Sequence, residues 1–491
     1  MATLTILDHG SARKIPFRAE DEPLLDAILT ANGITVPHIC GGRGACGKCA
    51  VRVTGALSEP DEAERRLGKR LSCRTHLLGD AVLELSDASA AMQIETGDAS
   101  IPGCDSYQSG ELGVACDIGT TTVVLGLYDL RSGKRLAAAS ARNPQAAIAA
   151  DVIGRISAAL SGKAGTLREL IETQIKDLTD RCLRTAGAER EKIKKTVLTG
   201  NTTMLYLLTG RSPETLSKAP FAADYLFDCD ACVADITAYL PPCVSAFVGA
   251  DITCAVEASG MTERKETSLL ADVGTNGELA LYKDGVLYVT STAAGPAFEG
   301  AGISAGCEAI PGAIDTVRLV NGIPSCTTIG NREPVGICGS GIIDALAAFL
   351  DSGRIDDGGL LLDDCRLTDA IGLTQGDVRQ MQLAKAALAA GIEVLLRTAG
   401  CTCDEIGTFY VAGGFGKHLN ARSAVRIGLF PAELERKMKV LGNAALGGAA
   451  RLLTDETARA RLGAIRASAV PVSLGGDKLF SDLYMENMFF R

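Results

Sequence analysis

Two short segments of this chain repeat one pattern. Asp117-Ile118-Gly119-Thr120-Thr121 follows the apolar run Val114-Ala115-Cys116 and precedes another at 123–128. Asp272-Val273-Gly274-Thr275-Asn276-Gly277 follows Leu269-Leu270-Ala271 and precedes an apolar run at 279–282. Apolar run, polar glycine-bearing tip, apolar run is the signature of a β-hairpin. The same hairpin twice, roughly 155 residues apart, predicts a duplicated fold with two facing lobes.

The chain has no G-x-x-x-x-G-K-[ST] segment, so a Walker-type phosphate loop is excluded. An Asp-x-Gly-Thr tip works differently. It offers backbone N–H groups and threonine hydroxyls to phosphate oxygens, and its aspartate holds Mg²⁺, usually through water. One such loop is a weak signal. Two of them, with the later glycine-rich stretch Val411-Ala412-Gly413-Gly414-Phe415-Gly416, are a strong one. Bare glycines there let a flat base lie against backbone.

The N-terminal region carries a second constellation. Cys40, Cys46 and Cys49 stand at C-x5-C-x2-C, and Cys73 follows in Leu71-Ser72-Cys73-Arg74. A [2Fe–2S] cluster needs four thiolates, three from one tight loop and one from a distance. Gly41, Gly42, Gly44 and Gly47 fill the loop and bring backbone N–H groups near the sulfurs. A zinc knot is the competing reading, because C-x2-C is generic. A Rieske site replaces two cysteines by histidine, so with all four cysteines present His38 and His76 are expected to be bystanders. The spacing resembles that of [2Fe–2S] ferredoxins, with the first gap as in adrenodoxin-like members.

At 491 residues the chain is too long for one core, and two to four domains are expected. Residues 1–86 read as a β-grasp unit, with strands near 3–8, 13–18, 50–53 and 81–85 and a helix around 23–32. Residues 87–112, rich in Asp, Ser, Gly and Ala, read as a flexible linker. The remainder, 113–491, divides into lobes at about 113–265 and 266–491. An amphipathic helix is expected over 167–183 and another from Thr374, whose x-x-Asp377 is a capping box, towards Leu396.

The net charge of −10 argues against a nucleic-acid binder. The chain has no apolar run long enough to cross a membrane and no basic-then-apolar leader at its start. Seventeen cysteines with no mark of secretion point to a reducing cytoplasm.

The paired loops resemble the actin/Hsp70/hexokinase (ASKHA) superfamily, whose two ribonuclease-H-like lobes hold ATP in a cleft. The resemblance assigns Asp117, Gly119, Thr120 and Thr121 to phosphate loop one. It assigns Asp272, Gly274, Thr275, Asn276 and Gly277 to loop two, and Gly413, Gly414 and Gly416 to the nucleoside. Gly339 and Ser340, in Gly336-Ile337-Cys338-Gly339-Ser340-Gly341, stand either as a phosphate-facing turn or as a tight strand–helix junction. Asp251 stands either as a residue orienting the attacking water or metal, or as a helix N-cap.

Taken together, the two halves resemble the reductive activators of corrinoid enzymes, which are ASKHA ATPases with an N-terminal [2Fe–2S] domain. Asn143-Pro144-Gln145, Asp151-Val152-Ile153-Gly154-Arg155-Ile156, Gly200-Asn201-Thr202-Thr203-Met204 and Gly295-Pro296-Ala297-Phe298-Glu299-Gly300 look like segments of that family. The family's extra middle domain is expected to be absent, because the linker leads almost directly into the first phosphate loop. The resemblance implies a [2Fe–2S] cluster and ATP with Mg²⁺ as cofactors. It implies a corrinoid protein of a methyltransferase system as partner and an external low-potential reductant, and it allows a homodimer. The implied act is to return Co(II) to Co(I) with an electron that ATP helps push uphill. A plant-type ferredoxin sits at about −400 mV, and each further 100 mV costs one electron about 2.3 kcal/mol. Two other classes remain: an ATP-driven activator of another enzyme, such as a 2-hydroxyacyl-CoA dehydratase, for which Cys229-x2-Cys232 would be a cluster motif, and a redox-sensing binding protein with an inactive nucleotide site.

Overall fold

The computed structural model describes residues 2–8, 11–32, 49–67, 69–84, 100–414 and 419–490. It divides into two compact units, Met1–Met92 and Gln93–Arg491.

The smaller unit is a five-stranded sheet in the order β2-β1-β5-β3-β4, crossed by one main helix. Its strands are β1 (Ala2–Asp8), β2 (Ser11–Phe17), β3 (Ala50–Leu57), β4 (Arg70–Leu71) and β5 (Leu77–Glu84). Its helices are α1 (Leu25–Ala31) and the short α2 (Glu62–Leu67). β1 pairs antiparallel with β2 and parallel with β5, the arrangement of a β-grasp. Leu4, Ile6, Ala81 and Leu83 face one side of the sheet, as strand alternation requires, and Leu25, Ile28 and Leu29 of α1 close that core.

The larger unit holds the two hairpins. In its first half β6 (Leu112–Ile118), β7 (Thr122–Asp129) and β8 (Arg135–Arg142) form an antiparallel meander. Helices α3 (Val152–Ala158) and α4 (Ala164–Ala186) follow, then β9 (Ile193–Gly200), α5 (Thr202–Thr209), α6 (Glu214–Ser217), β10 (Cys229–Val233), β11 (Ile236–Leu240) and α7 (Ala250–Ser259). The sheet order is β10-β11-β9-β6-β7-β8, with β9 parallel to β6. In the second half β12 (Ser268–Val273), β13 (Gly277–Lys283) and β14 (Val286–Thr292) repeat the meander. A three-stranded sheet of β15 (Ala313–Val320), β16 (Ile323–Thr328) and β17 (Gly336–Ile337) comes next, then α8 (Gly339–Asp351) and α9 (Gln375–Thr398). The chain continues through β18 (Thr408–Gly413), α10 (Ala421–Arg426), β19 (Met438–Gly442), α11 (Ala444–Thr454), α12 (Ala458–Ser468), β20 (Ala469–Pro471) and α13 (Lys478–Glu486). This sheet runs β19-β18-β12-β13-β14-β20, with β18 parallel to β12. A meander flanked on its first strand by a later parallel strand thus occurs twice, which is the duplication the hairpins predict.

The central strands β6 and β12 are apolar almost throughout, because helices or the opposite lobe cover both faces of each sheet. One core lies under α4 and α5, and a second lies under α8 and α9. A third is shared, made by residues of both sheets with α7, α11 and α12. The helix expected over 167–183 is α4, and the capping box at Thr374 and Asp377 opens α9.

The segment expected as linker behaves otherwise over its described part. Ile101 is buried and its N–H donates to the Gly133 carbonyl, Cys104 N–H donates to Leu130 O, and Gly110 N–H donates to the Asp129 carboxylate. Residues 100–111 are pinned along the β7–β8 turn, and backbone hydrogen bonding of this kind leaves no free tether there. No helix among the described residues is long and apolar enough to cross a membrane.

Candidate functional site

In the larger unit the two hairpin tips come together. Gly119 N–H donates to Thr122 O and Gly274 N–H donates to Asn276 O, so each tip is a tight turn. Thr121 Oγ1 lies 3.0 Å from Thr275 Oγ1. Glu299, on the short turn Pro296–Glu299, accepts from both hydroxyls, at 2.8 Å from Thr275 and 3.3 Å from Thr121.

Three buried polar side chains and the half-buried Asn201 hold loop one. Asn143 Nδ2 donates to Gly119 O, and Asn143 N–H donates to Thr121 O. Arg155, fully buried in α3, donates from Nη2 to Thr120 O at 2.6 Å and from Nη1 to Gln145 Oε1. Gln145 in turn donates to the Leu167 carbonyl at the start of α4. Asn201, the N-cap of α5, donates to Thr120 Oγ1. Burial pulls the Arg155 guanidinium down to about 10. It stays charged at neutral pH, a fixed cation behind the phosphate loop. These residues give physical roles to three of the family-like segments.

Behind the tips lies a row of carboxylates. Asp117 ends β6 and accepts from Asn443 Nδ2 at 2.9 Å. Asp272 is next to last in β12 and pairs with Ala412, and Asp251 stands in the first turn of α7. Burial pushes Asp117 up to about 6, against the pull of the Asn443 amide. Burial, with the Asp117 charge next, pushes Asp272 to about 7. Burial and then the charges of Asp117 and Asp272 push Asp251 upward, and Glu278 rises through burial and the charges of Asp251 and Asp272. Glu299 is raised by burial, against the Thr275 and Thr121 hydroxyls. Mutually repelling carboxylates gathered in this way suit a divalent cation. Among the described residues no three His, Cys, Asp or Glu side chains close around a single point. Asp117 and Asp272 are the residues that would hold a hydrated Mg²⁺ here. Once bound, it would neutralise charge on phosphate oxygens.

The other sequence candidates distribute as follows. Gly413 has φ +106, and a Cβ there would stand 2.3 Å from Val273 O, so only glycine lets β18 approach β12 beside Asp272. A Cβ on Gly414 would meet nothing within 4 Å. Gly416 lies outside the described residues. Gly277 opens β13 and Asn276 sits on the loop-two tip. The N-cap of α7 is Gly249, so Asp251 is not the cap that was its alternative reading; its carboxylate accepts from Ile252 N–H. Gly339 and Ser340 form the first turn of α8, directly after β17, and Ser340 Oγ donates to the Asp315 carbonyl. Cys229 and Cys232 are three apart on β10, which puts them on opposite faces of an edge strand and unable to share a cluster.

In the smaller unit Cys49 precedes β3 and Cys73 sits on the turn after β4. Both are buried, and their sulfurs lie 3.1 Å apart. Ser72 N–H donates to Cys49 O, which ties the two cysteine segments together. The Cys73 turn is organised by Glu64, 1% exposed, whose carboxylate accepts from Leu71 N–H at 2.9 Å, from Thr75 Oγ1 at 2.7 Å, and from Arg70. Two convergent buried sulfurs on a hydrogen-bonded turn fit two corners of an iron–sulfur cluster, which supplies a one-electron carrier when bound. Cys40, Cys46 and His38 lie outside the described residues. His76 Nδ1 is engaged with the Glu22 carbonyl.

Asn443, Glu299, Arg155, Asn143 and Asn201 are the site residues that motif reading did not single out. Asn443 carries one local signal, an asparagine just before the helix-forming run of α11.

The fold and site define an ASKHA-type ATPase coupled in one chain to a [2Fe–2S] ferredoxin-like unit. Comparison with known proteins gives the family. Residues 6–78 match the 2Fe-2S iron-sulfur cluster binding domain, 112–264 the RACo middle region, and 266–491 the C-terminal domain of RACo, the ASKHA domain. The corrinoid activation enzyme RamQ of Eubacterium limosum is 34% identical over 421 residues, which are 77% of this chain and 70% of that protein. The [Co(II) methylated amine-specific corrinoid protein] reductase of Methanosarcina barkeri is 29% identical over 265 residues, 48% of this chain and 47% of that one. A solved structure titled reductive activator for corrinoid,iron-sulfur protein superposes with a TM-score of 0.73 at 28% identity, covering 100% of this chain and 98% of that one. The chain belongs to this family of corrinoid reductive activators. The match over 112–264 falls on the lobe that carries phosphate loop one.

Proposed function

We propose that this protein is an ATP-dependent reductive activator of a corrinoid protein in a methyltransferase system. It passes one electron to the inactive Co(II) corrinoid and restores Co(I). The observation that carries the reading is the coexistence, in one chain, of paired buried thiols on a ferredoxin-like turn and two phosphate loops whose threonines converge. Electron carriage alone needs no phosphate loops, and phosphoryl chemistry alone needs no ferredoxin unit.

In this reading Cys40, Cys46, Cys49 and Cys73 hold the cluster, and Asp117 and Asp272 hold Mg²⁺ against ATP. The hydroxyls and N–H groups of Thr120, Thr121, Thr275, Asn276 and Gly277 cradle the phosphates, and Gly413, Gly414 and Gly416 face the nucleoside. An external low-potential reductant reloads the protein, which works in the cytoplasm. The named activities of the Eubacterium limosum and Methanosarcina barkeri relatives support a corrinoid partner.

The test mixes the protein, a low-potential reductant, Mg-ATP and a Co(II) corrinoid protein without oxygen. Co(II) absorbance should decay as the Co(I) band grows. Omitting ATP should stall the change, and so should deleting residues 1–86. Equally fast cobalt reduction without nucleotide would sink the proposal.

A further inference from the structure

Glu299 stands in the family-like segment 295–300, whose role the spacing of its residues does not reveal. One of its oxygens, Oε2, accepts from the Thr121 hydroxyl of loop one and the Thr275 hydroxyl of loop two. These hydroxyls belong to hairpins on different sheets, and their tips meet here. An anionic oxygen bound between two phosphate-loop threonines is what a terminal phosphoryl oxygen would be. Here the Glu299 carboxylate takes that place.

We propose that Glu299 competes with the terminal phosphate of ATP for the two threonine hydroxyls and, once displaced, is the catalytic carboxylate that accepts the proton of the attacking water. The inference rests on the reading of the cleft as an ATP site. ATP must take the two hydroxyls from Glu299 in order to bind. The carboxylate stays on its short turn beside the tips, next to a phosphate of like charge. A water molecule between carboxylate and phosphorus relieves that repulsion, by donating to Glu299 and turning its lone pair to phosphorus. The step then balances. The water oxygen bonds to the terminal phosphorus, the bond from phosphorus to the bridging oxygen breaks, and ADP leaves with the electron pair. One water proton passes to Glu299 and from there to released phosphate.

Competition and proton transfer leave different kinetic marks. Steady-state Mg-ATP hydrolysis and binding of a non-hydrolysable ATP analogue are measured on the full chain for the parent, Glu299→Gln and Glu299→Asp. Glu299→Gln removes the charge that competes with phosphate and the base. The analogue should bind about three- to tenfold tighter, while kcat falls on the order of 100-fold. Glu299→Asp keeps a base on a shorter arm, and its kcat should fall between the two. A structural residue would show the opposite split, weaker binding at little changed kcat, and that result would overturn the proposal. So would hydrolysis by Glu299→Gln within twofold of the parent. A parent that binds no ATP would overturn the nucleotide-site reading itself, together with this inference.

Discussion

The hydroxyls of Thr121 and Thr275, 154 positions apart in the chain, lie 3.0 Å from each other at the tips of two duplicated hairpins. Their contact joins the lobes at the point where phosphate is expected. Thr121→Val and Thr275→Val should each raise the KM for Mg-ATP about tenfold or more, the worth of a hydrogen bond to a charged acceptor. The double variant should cost less than the sum, because both hydroxyls serve one anion. Strict additivity in a double-mutant cycle would argue for two separate ligand positions.

Arg155 holds loop one from behind, through the Thr120 carbonyl, Gln145 and the Ala149 carbonyl. Lysine has one head group and cannot reach three acceptors in this fork. Arg155→Lys should lower kcat/KM for ATP about 10- to 100-fold and cost about 1–3 kcal/mol of stability from acceptors left unpaired in the interior. The visible spectrum of the cluster should not change. ATP turnover equal to the parent's would remove Arg155 from the site.

Glu64 ties the Cys73 turn through three partners. Glu64→Ala should leave the Leu71 N–H and Thr75 hydroxyl unsatisfied, so anaerobically purified protein should retain less iron per chain and show a shifted reduction potential by EPR titration. Glu64→Gln, which keeps an acceptor oxygen, should recover most of the iron. ATP hydrolysis in the absence of partner should match the parent in both variants. Full iron retention by Glu64→Ala would contradict the role given to this carboxylate.

Arg461 of α12 binds buried Glu257 of α7 and also Asp455. Removing the arginine leaves Glu257 charged and unpaired in the interior, and Arg461→Met should destabilise the larger unit by about 3–5 kcal/mol. Asp455 adds a pH signature. Burial opposes its ionisation, but bonds from Arg461 and Thr457 prevail and hold it down to about 2. A depressed carboxylate stabilises the fold above its unfolded value, about 3.9, and that contribution fades as pH falls through its folded value. The difference in thermal midpoint between the parent and Asp455→Asn should therefore be flat from pH 8 to 5 and shrink from pH 4 towards pH 2. A gap that widens on acidification would contradict this sign.

The hairpins, the α9 capping box and the amphipathic α4 were legible because each is written in neighbouring residues: two apolar runs around a polar tip, a four-residue cap, a helical stripe. The same holds for Gly413, whose neighbours announce a turn of bare backbone. Arg155, Asn143 and Asn201 were visible as segments but not as contacts, since each acts on a carbonyl or hydroxyl tens of residues away. Asn443 illustrates the limit best. It meets Asp117 from 326 positions further along the chain, and no periodicity links them. Residues 100–111 misled for a related reason: small polar composition suggests a tether, yet hydrogen bonds from their backbone, which composition does not encode, fasten them to a neighbouring turn. Cys229 and Cys232 have the spacing of a ligand pair, but spacing does not tell that they lie on a strand.

α11 follows loop two by well over a hundred residues, yet it packs on α7 and on β6 of the other lobe. Gly448 marks how closely: a Cβ there would stand 1.9 Å from the Cys254 carbonyl of α7. The duplication is therefore not a pair of separable halves. A chain cut near residue 265 would strip the first fragment of the helix that covers its own sheet and leave that helix unpaired on the second. Neither piece should be obtained folded by itself, and the two produced together should reassemble by complementation. Gene dissection along the repeat, natural as it looks, would divide one folding unit through its middle.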